Sequence, residues 1–177
     1  MIINRVWSMP NKNTFDIKPI YNLIDRYNKI NLFNFKDDFI SIDPFANKNK
    51  IAKITNDIDN EYKTNFNLDA LEFLKNFENN SIDFILNDPP YSPRQVSECY
   101  KNLGLTVNIE TTQSSFWGNI KKEIKRIIKK DGIVISFGWN SNGIGKNNNF
   151  KIIEILIVSH GGNHNDTICV VEKKIYD

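Results

Sequence analysis

The chain has 177 residues, 40% of them hydrophobic and 25% charged, with a net charge of +2. That length holds one domain with a real core rather than two, and the balanced charge permits a nucleic-acid partner without arguing for one. No stretch reaches the roughly 18 apolar residues of a membrane span. The start, MIINRVWSMPNKN, has no signal-peptide run, and Cys99 and Cys169 form no CxxC pair. We therefore expect a cytoplasmic protein with a single domain over 1–177, two free thiols, and neither a membrane nor a metal partner.

Residues 39–44, FISIDP, form a short apolar run ending in an acid and a proline, the pattern of a buried strand. Residues 51–59, IAKITNDID, predict a second strand ending in acids. Residues 68–77 set Leu68, Leu71, Phe73 and Leu74 at helical spacing, with Asn67 as the cap. A strand at 82–86, IDFIL, runs into a proline corner. Residues 93–102 predict a short helix with Pro93 in its first turn. The run 113–130, QSSFWGNIKKEIKRIIKK, predicts the longest helix. Ile120, Ile124, Ile127 and Ile128 line one face, and Lys121, Lys122, Lys125, Arg126, Lys129 and Lys130 cover the rest. Gly132 is the expected left-handed stop. Strands follow at 133–137, 151–158 and 166–172, the last two joined as a hairpin through SHGGNHN. Residues 105–112 and 138–149 read as loops, the second expected to be mobile. Strands alternating with amphipathic helices predict an α/β three-layer fold, mostly parallel, with a C-terminal antiparallel hairpin.

The corner is Asn87-Asp88-Pro89-Pro90-Tyr91. Open parallel sheets bind ligands at the carboxyl ends of their strands. Two prolines have no N–H to continue a ladder, and they leave their carbonyls as unshared acceptors. The corner thus offers a carboxylate, a carbonyl and an aromatic face. A flat ring with an exocyclic amino group matches that set, with one N–H to Asp88, the other to the Pro89 carbonyl, and the ring on Tyr91. Such a nitrogen is a poor nucleophile because its lone pair is delocalised. Prearranged acceptors for both N–H groups favour the tetrahedral nitrogen of the transition state. A plain strand-to-helix turn with a capping acid is the competing reading.

Asn87–Tyr91 resembles the catalytic motif of S-adenosylmethionine-dependent amino methyltransferases, above all those acting on adenine N6 in DNA. DPPYSPRQVSECYK, SFGWNSNGIGK and HGGNHNDTICVVEKK, in that order, resemble small phage-type adenine-specific DNA methyltransferases. The resemblance implies a Rossmann-like methyltransferase fold and S-adenosylmethionine as cofactor. It assigns Thr14 and Phe15 to the methionine end of the cofactor, and Asp43, Pro44, Phe45 and Ala46 to the pocket wall. Asp57, with Asp59 as competitor, would take the ribose hydroxyls. Asp69, with Ala70, would contact the adenine, although a helix N-terminal acid is an equal reading of Asp69. Asp88 belongs to both halves of the site. The departure is the loop DPFANKNKIAKI, which has no glycine where the family pattern is glycine-rich. From Phe45 to Lys53 there are only roughly eight residues, too few for a normal crossover helix, so that helix is expected to be reduced or missing. Either the cofactor site is then open and weak, or a homodimer or partner subunit covers it.

The resemblance also implies DNA as partner and base flipping with Tyr91 as the platform. With no room for a recognition domain, loops must read the DNA. Ser92, Arg94, Gln95, Trp117, Asn140, Lys146 and His164 are the candidates. The basic helix either tracks phosphates or is a solvated face. His160 and His164 suit a loop hydrogen bond or a DNA contact, and Trp139 suits either pocket or core. The alternatives are an RNA amino methyltransferase and a catalytically silent DNA-binding partner subunit.

Overall fold

The structure, a computed structural model, describes residues 1–35, 38–104 and 114–176, with side chains except at 31–35, 93 and 114–116. The loop expected at 105–112 lies outside the described residues. The strands are β1 (Ile2–Trp7), β2 (Ser41–Asp43), β3 (Ile54–Thr55), β4 (Ile82–Asn87), β5 (Ile128–Gly138), β6 (Phe150–Ser159) and β7 (Thr167–Lys174). The helices are α1 (Lys18–Phe35), α2 (Ala70–Lys75), α3 (Pro93–Asn102) and α4 (Ser114–Ile127). The strands form one sheet in the order β1-β6-β7-β5-β4-β2-β3. Only β7 runs against its neighbours, making an antiparallel hairpin with β6. Residues 44–53 between β2 and β3 contain turns and no helix. The mixed, mostly parallel sheet with its missing first crossover helix is the architecture expected.

All six residues of β4 are buried, because both faces of the sheet are covered. Phe84 and Leu86 face one core with α1, while Ile82 and Ile85 face a second core with α2 and α4. Helix α1 buries Ile20, Leu23, Ile24 and Tyr27, an i, i+3, i+4, i+7 stripe. Each such side chain contributes roughly 1.5–3 kcal/mol of burial, far more than helix propensity supplies.

Several sequence expectations need correction. β1 and α1 lie before Phe39, where no element is expected from the sequence. The second strand is only Ile54–Thr55, because the acids after it bond the loops around the site. Helix α2 starts at Ala70 with Asp69, not Asn67, accepting the Leu71 N–H at 2.9 Å. Asn67 instead donates to the carbonyls of Asp57 and Asp59. Helix α4 stops at Ile127, and Ile128, Lys129 and Lys130 already belong to β5. Ile128 pairs with Ile82, and a bulge follows before Phe84 meets Ile133. Lys129 leaves the expected basic face to ion-pair with buried Asp83 at 2.8 Å. Asp131, with φ 66°, takes the left-handed position expected of Gly132. Gly132 is needed for space, since a Cβ there would meet Ile128 Cγ1 at 2.7 Å and the Lys129 carbonyl at 2.8 Å. The loop at 138–149 is pinned. Buried Glu172 accepts the N–H groups of Ile144 and Gly145 at 2.6 and 2.9 Å, and a Cβ on Gly143 would run into that carboxylate.

Glu154, on β6, is buried and joins three elements. It accepts from Arg26 at 2.7 Å and Tyr27 at 2.8 Å on α1, and from Asn4 on β1. Burial raises its carboxyl, but the hydrogen bonds from Arg26 and Tyr27 outweigh it, so the net shift is downward. A lowered carboxyl stabilises the fold above its ordinary range and loses that contribution as pH falls through the folded value. Arg26→Ala should destabilise by about 2 kcal/mol at pH 7. That is below the roughly 3–5 of a fully buried pair because Arg26 is half exposed. Denaturant unfolding should show the deficit shrinking as pH falls below the carboxylate range; a deficit constant with pH would refute this role.

Candidate active site

Strands β2 and β4 lie side by side at the point where the chain order reverses. From β2 the chain goes outward to β3; from β4 it goes the other way to β5. The carboxyl ends of such a pair open a crevice. A cleft of about 1020 Å³ lies there, lined by Pro44, Phe45, Asp88, Pro89, Pro90 and Tyr91 among others. Nearby residues of the short crossover are held by polar pegs instead of a helix. Asn56, fully buried, donates to the carbonyls of Pro44 and Leu68 and accepts the Leu68 N–H, each at 3.0 Å. Asp57 accepts the N–H groups of Asn47 at 2.8 Å and Asp59 at 2.9 Å. Asn47 sits at φ 51°. It makes in the left-handed region the turn that the glycine-free loop lacks, a conformation asparagine tolerates.

At the corner, neither proline has an N–H to spend. The next donor, Tyr91 N–H, goes to Gln95 Oε1 at 2.6 Å, while Ser92 Oγ accepts the Gln95 N–H at 3.2 Å and caps α3. Asp88 faces the cleft, and its Oδ1 accepts the Tyr91 hydroxyl at 2.5 Å. Thr14 Oγ1 lies 3.4 Å from the same hydroxyl. The Tyr91 ring meets Trp139 edge-on, with centroids 5.6 Å apart. Burial pushes the Asp88 carboxyl up to about 6, against the lowering hydrogen bonds from Tyr91 and Thr14. Burial first, then the neighbouring Asp88, pushes the Tyr91 hydroxyl up, so it stays a donor. Asp57 is raised by burial against the lowering bonds from the Asp59 and Asn47 N–H groups.

The structure gathers many of the sequence-selected residues on this cleft. Thr14, Asp57, Asp69, Ala70, Trp117 and Trp139 line it, with Gln95 and exposed His164. Asp69 is both helix cap and cleft residue, its Oδ2 accepting from Tyr100 at 2.6 Å. Others lie behind the wall. Phe15 packs in the core against Phe137 at 4.9 Å, Ala46 is fully buried, and Asp43 is buried beneath Phe45, whose N–H it accepts. Asn87 is buried in β4, its Nδ2 3.4 Å from Ser136 Oγ. Arg94 is exposed and paired with Glu98; Asn140, also exposed, closes a turn on the Asn142 N–H; exposed Lys146 begins a short turn away from the lining.

Residues not singled out also line the cleft, notably Asn47, Glu61, Tyr62 and Tyr100. His160 bridges the Ser8 carbonyl and Thr167 Oγ1, each at 2.9 Å, as a buried loop tie. The role of Gln95 was readable, since Ser92-Pro-Arg-Gln95 has the capping-box spacing. No group of His, Cys, Asp and Glu suited to a metal ion occurs among the described residues, and no described helix is long and apolar enough to cross a membrane.

Several solved structures share this fold. TrmN from Thermus thermophilus superposes over 90% of this chain and 49% of its own, with a TM-score of 0.55 and 14% identity. This chain thus spans about half the length of the Thermus protein. A Haemophilus influenzae protein described as a methylase matches over 86% of this chain and 99% of its own, at TM-score 0.52 and 13% identity. The Burkholderia thailandensis 1,6-didemethyltoxoflavin-N1-methyltransferase, solved with 1,6-didemethyltoxoflavin and S-adenosylhomocysteine, matches over 95% and 93%, at 0.51 and 8%. The fold is the Rossmann-like methyltransferase fold. No protein-family model and no curated protein matches the sequence.

Within this methyltransferase fold, the raised Asp88 carboxyl has a measurable cost. A carboxyl raised on folding adds stability below its unfolded value of 3.8, and that contribution is lost as pH rises through about 6. Asp88→Asn should therefore melt higher than wild type at pH 8, with the gain fading as pH falls from 6 toward 4. Equal melting at pH 8 would refute the shift.

Proposed function

We propose that this chain transfers a methyl group from S-adenosylmethionine to the exocyclic N6 amino group of adenine in DNA. The observation that carries the reading is the corner itself. The Asp88 carboxylate, on the cleft side of β4, already accepts a hydrogen bond from a donor at 2.5 Å, the Tyr91 hydroxyl. An amino group entering the cleft would take that place, with its second N–H available to the Pro89 carbonyl. The Tyr91 ring, braced by Trp139, then supplies the stacking face. The neighbouring folds, one solved with S-adenosylhomocysteine, support the cofactor class.

The donor chemistry of the cleft fits that cofactor. Asp57, Asp59, Glu61, Asp69 and Asp88 line it, an acceptor-rich wall suited to a cationic ligand bearing hydroxyl and amino donors. Asp57 would take the ribose hydroxyls on lone pairs its backbone donors leave open. Asp69 and Ala70 would contact the adenine, and the segment around Thr14 the methionine end. S-adenosylmethionine supplies, when bound, an electrophilic methyl group. Asp88 and the Pro89 carbonyl orient the amino nitrogen toward it and stabilise its developing positive charge. Arg94, Asn140, Lys146 and His164 are exposed and available to DNA. Gln95 and Ser92 instead hold the corner, so the reading gives them a positioning role.

Transfer of labelled methyl groups should be tested on duplex DNA, single-stranded DNA and RNA. Label on adenine N6 of DNA is expected; label on RNA alone would transfer the reading to RNA. Asp88→Ala should lower transfer by about 10²–10³-fold while calorimetry shows cofactor binding nearly unchanged, because Asp57 and Asp69 still hold the cofactor. Tyr91→Phe keeps the ring and frees Asp88, so it should stay near wild type, whereas Tyr91→Ala should lose roughly 1–3 kcal/mol of stacking. The kcat/KM profile should fall on the acid side with a midpoint about 6, as Asp88 protonates. A wild-type protein that binds no S-adenosylmethionine would end the enzymatic reading.

A further inference from the structure

Strand β1 is the outermost strand, paired with β6 along one edge and with no described strand along the other. All six of its residues are exposed. Of the twelve exposed large hydrophobic side chains among the described residues, six fall in the first nine positions: Met1, Ile2, Ile3, Val6, Trp7 and Met9. Exposed edges are normally blunted with lysine, proline or a bulge. β1 has none of these. Its one charge, Arg5, is turned to Ser159 at 2.9 Å and Asp166 at 3.9 Å.

We propose that two copies of this chain pair through β1, antiparallel about a two-fold axis at Asn4, so that one sheet runs through both. The choice of a second copy rests on self-complementarity. In an antiparallel pair, opposed residues lie on the same face, so the residue numbers of each pair sum to an even number. With Asn4 on the axis, Ile2 meets Val6 of the other copy and Met1 meets Trp7, each pair occurring twice. Ile3 meets the aliphatic stem of Arg5, whose charge is already turned to Asp166, and the two Asn4 amides meet each other. Moving the axis to Arg5 opposes two guanidinium groups, and like charges directly opposed are destabilising. It also sets Asn4 against Val6. Of the two registers centred on the strand, charge and polarity therefore favour Asn4 over Arg5, and either way the strand pairs with itself as an isologous dimer requires. The segment that follows β1, Pro10–Thr14, lines the cleft, so pairing would brace the strand from which that rim hangs. The inference holds whatever the cleft binds.

Light scattering on the whole chain at micromolar concentration should give twice 20.6 kDa. Val6→Lys should give a monomer with an unchanged circular-dichroism spectrum. In a Cys99→Ser background, Asn4→Cys should oxidise to a disulfide-linked dimer, because a self-paired position brings Cα atoms within disulfide range. Arg5→Cys, offset from its own copy, should cross-link at least tenfold more slowly. A wild-type monomer, a Val6→Lys dimer, or equal cross-linking at the two positions would each overturn the proposal. So would a wild-type monomer that takes a strand from another protein.

Discussion

The functional end of this molecule depends on one constraint: the parallel pairing of β2 with β4, whose chains leave in opposite directions. The pairing is short, Ser41 with Phe84 and Ile42 with Ile85. Past it, backbone groups have no ladder partner and must be satisfied some other way. In much of this fold class a crossover helix supports one side of the opening. Here residues 44–53 are too short for one, and side chains take its place. Ser41 accepts the Lys53 N–H, Asn56 ties two loops, and Asp57 ties a third. Asp57 does both jobs: it holds a loop and lines the cleft, whereas Ser41 and Asn56 stay buried behind the wall.

The same economy shapes the corner. Asp88 is held between desolvation, which favours the neutral acid, and two hydroxyls, which favour the carboxylate. Tyr91 is held by its N–H, its hydroxyl and its ring, through Gln95, Asp88 and Trp139. A side chain fixed at three points keeps its acceptor partner in place while the hydroxyl itself remains replaceable. Acceptors fixed in this way are what electrostatic preorganisation would use if the corner acts as proposed.

Sequence alone carried much of this because buried strands and proline corners leave strong local marks. IDFIL and its corner, helix α3 with its bounds, and the missing crossover helix were all readable. The end of α4 was not, because Ile124, Ile127 and Ile128 fit a helical stripe whether or not the backbone stays helical. Only the long-range pull of Asp83 on Lys129 and the pairing of Ile128 with Ile82 decide it. β1 shows no alternation because neither of its faces is covered. The stripe Ile20, Leu23, Ile24 and Tyr27 has helical spacing and is legible in the sequence. Whether an acid lines a pocket or supports its wall, as Asp57 and Asp43 differ, depends on depth, which residue type does not encode.

The place of β7 has a consequence for how the molecule is made. It follows every other strand in the chain, yet in the sheet it lies between β5 and β6. Until it is inserted, β5 and β6 have no bond to one another, and each shows an open apolar edge. Without it the sheet is two halves joined by a loop, β5-β4-β2-β3 and β1-β6, the second closed only by pairing Ile2 with Glu154 across most of the chain. Such chains fold slowly and are exposed to aggregation on the way. Removing β7 would therefore expose two apolar sheet edges at once, where removing an outer strand such as β3 exposes one.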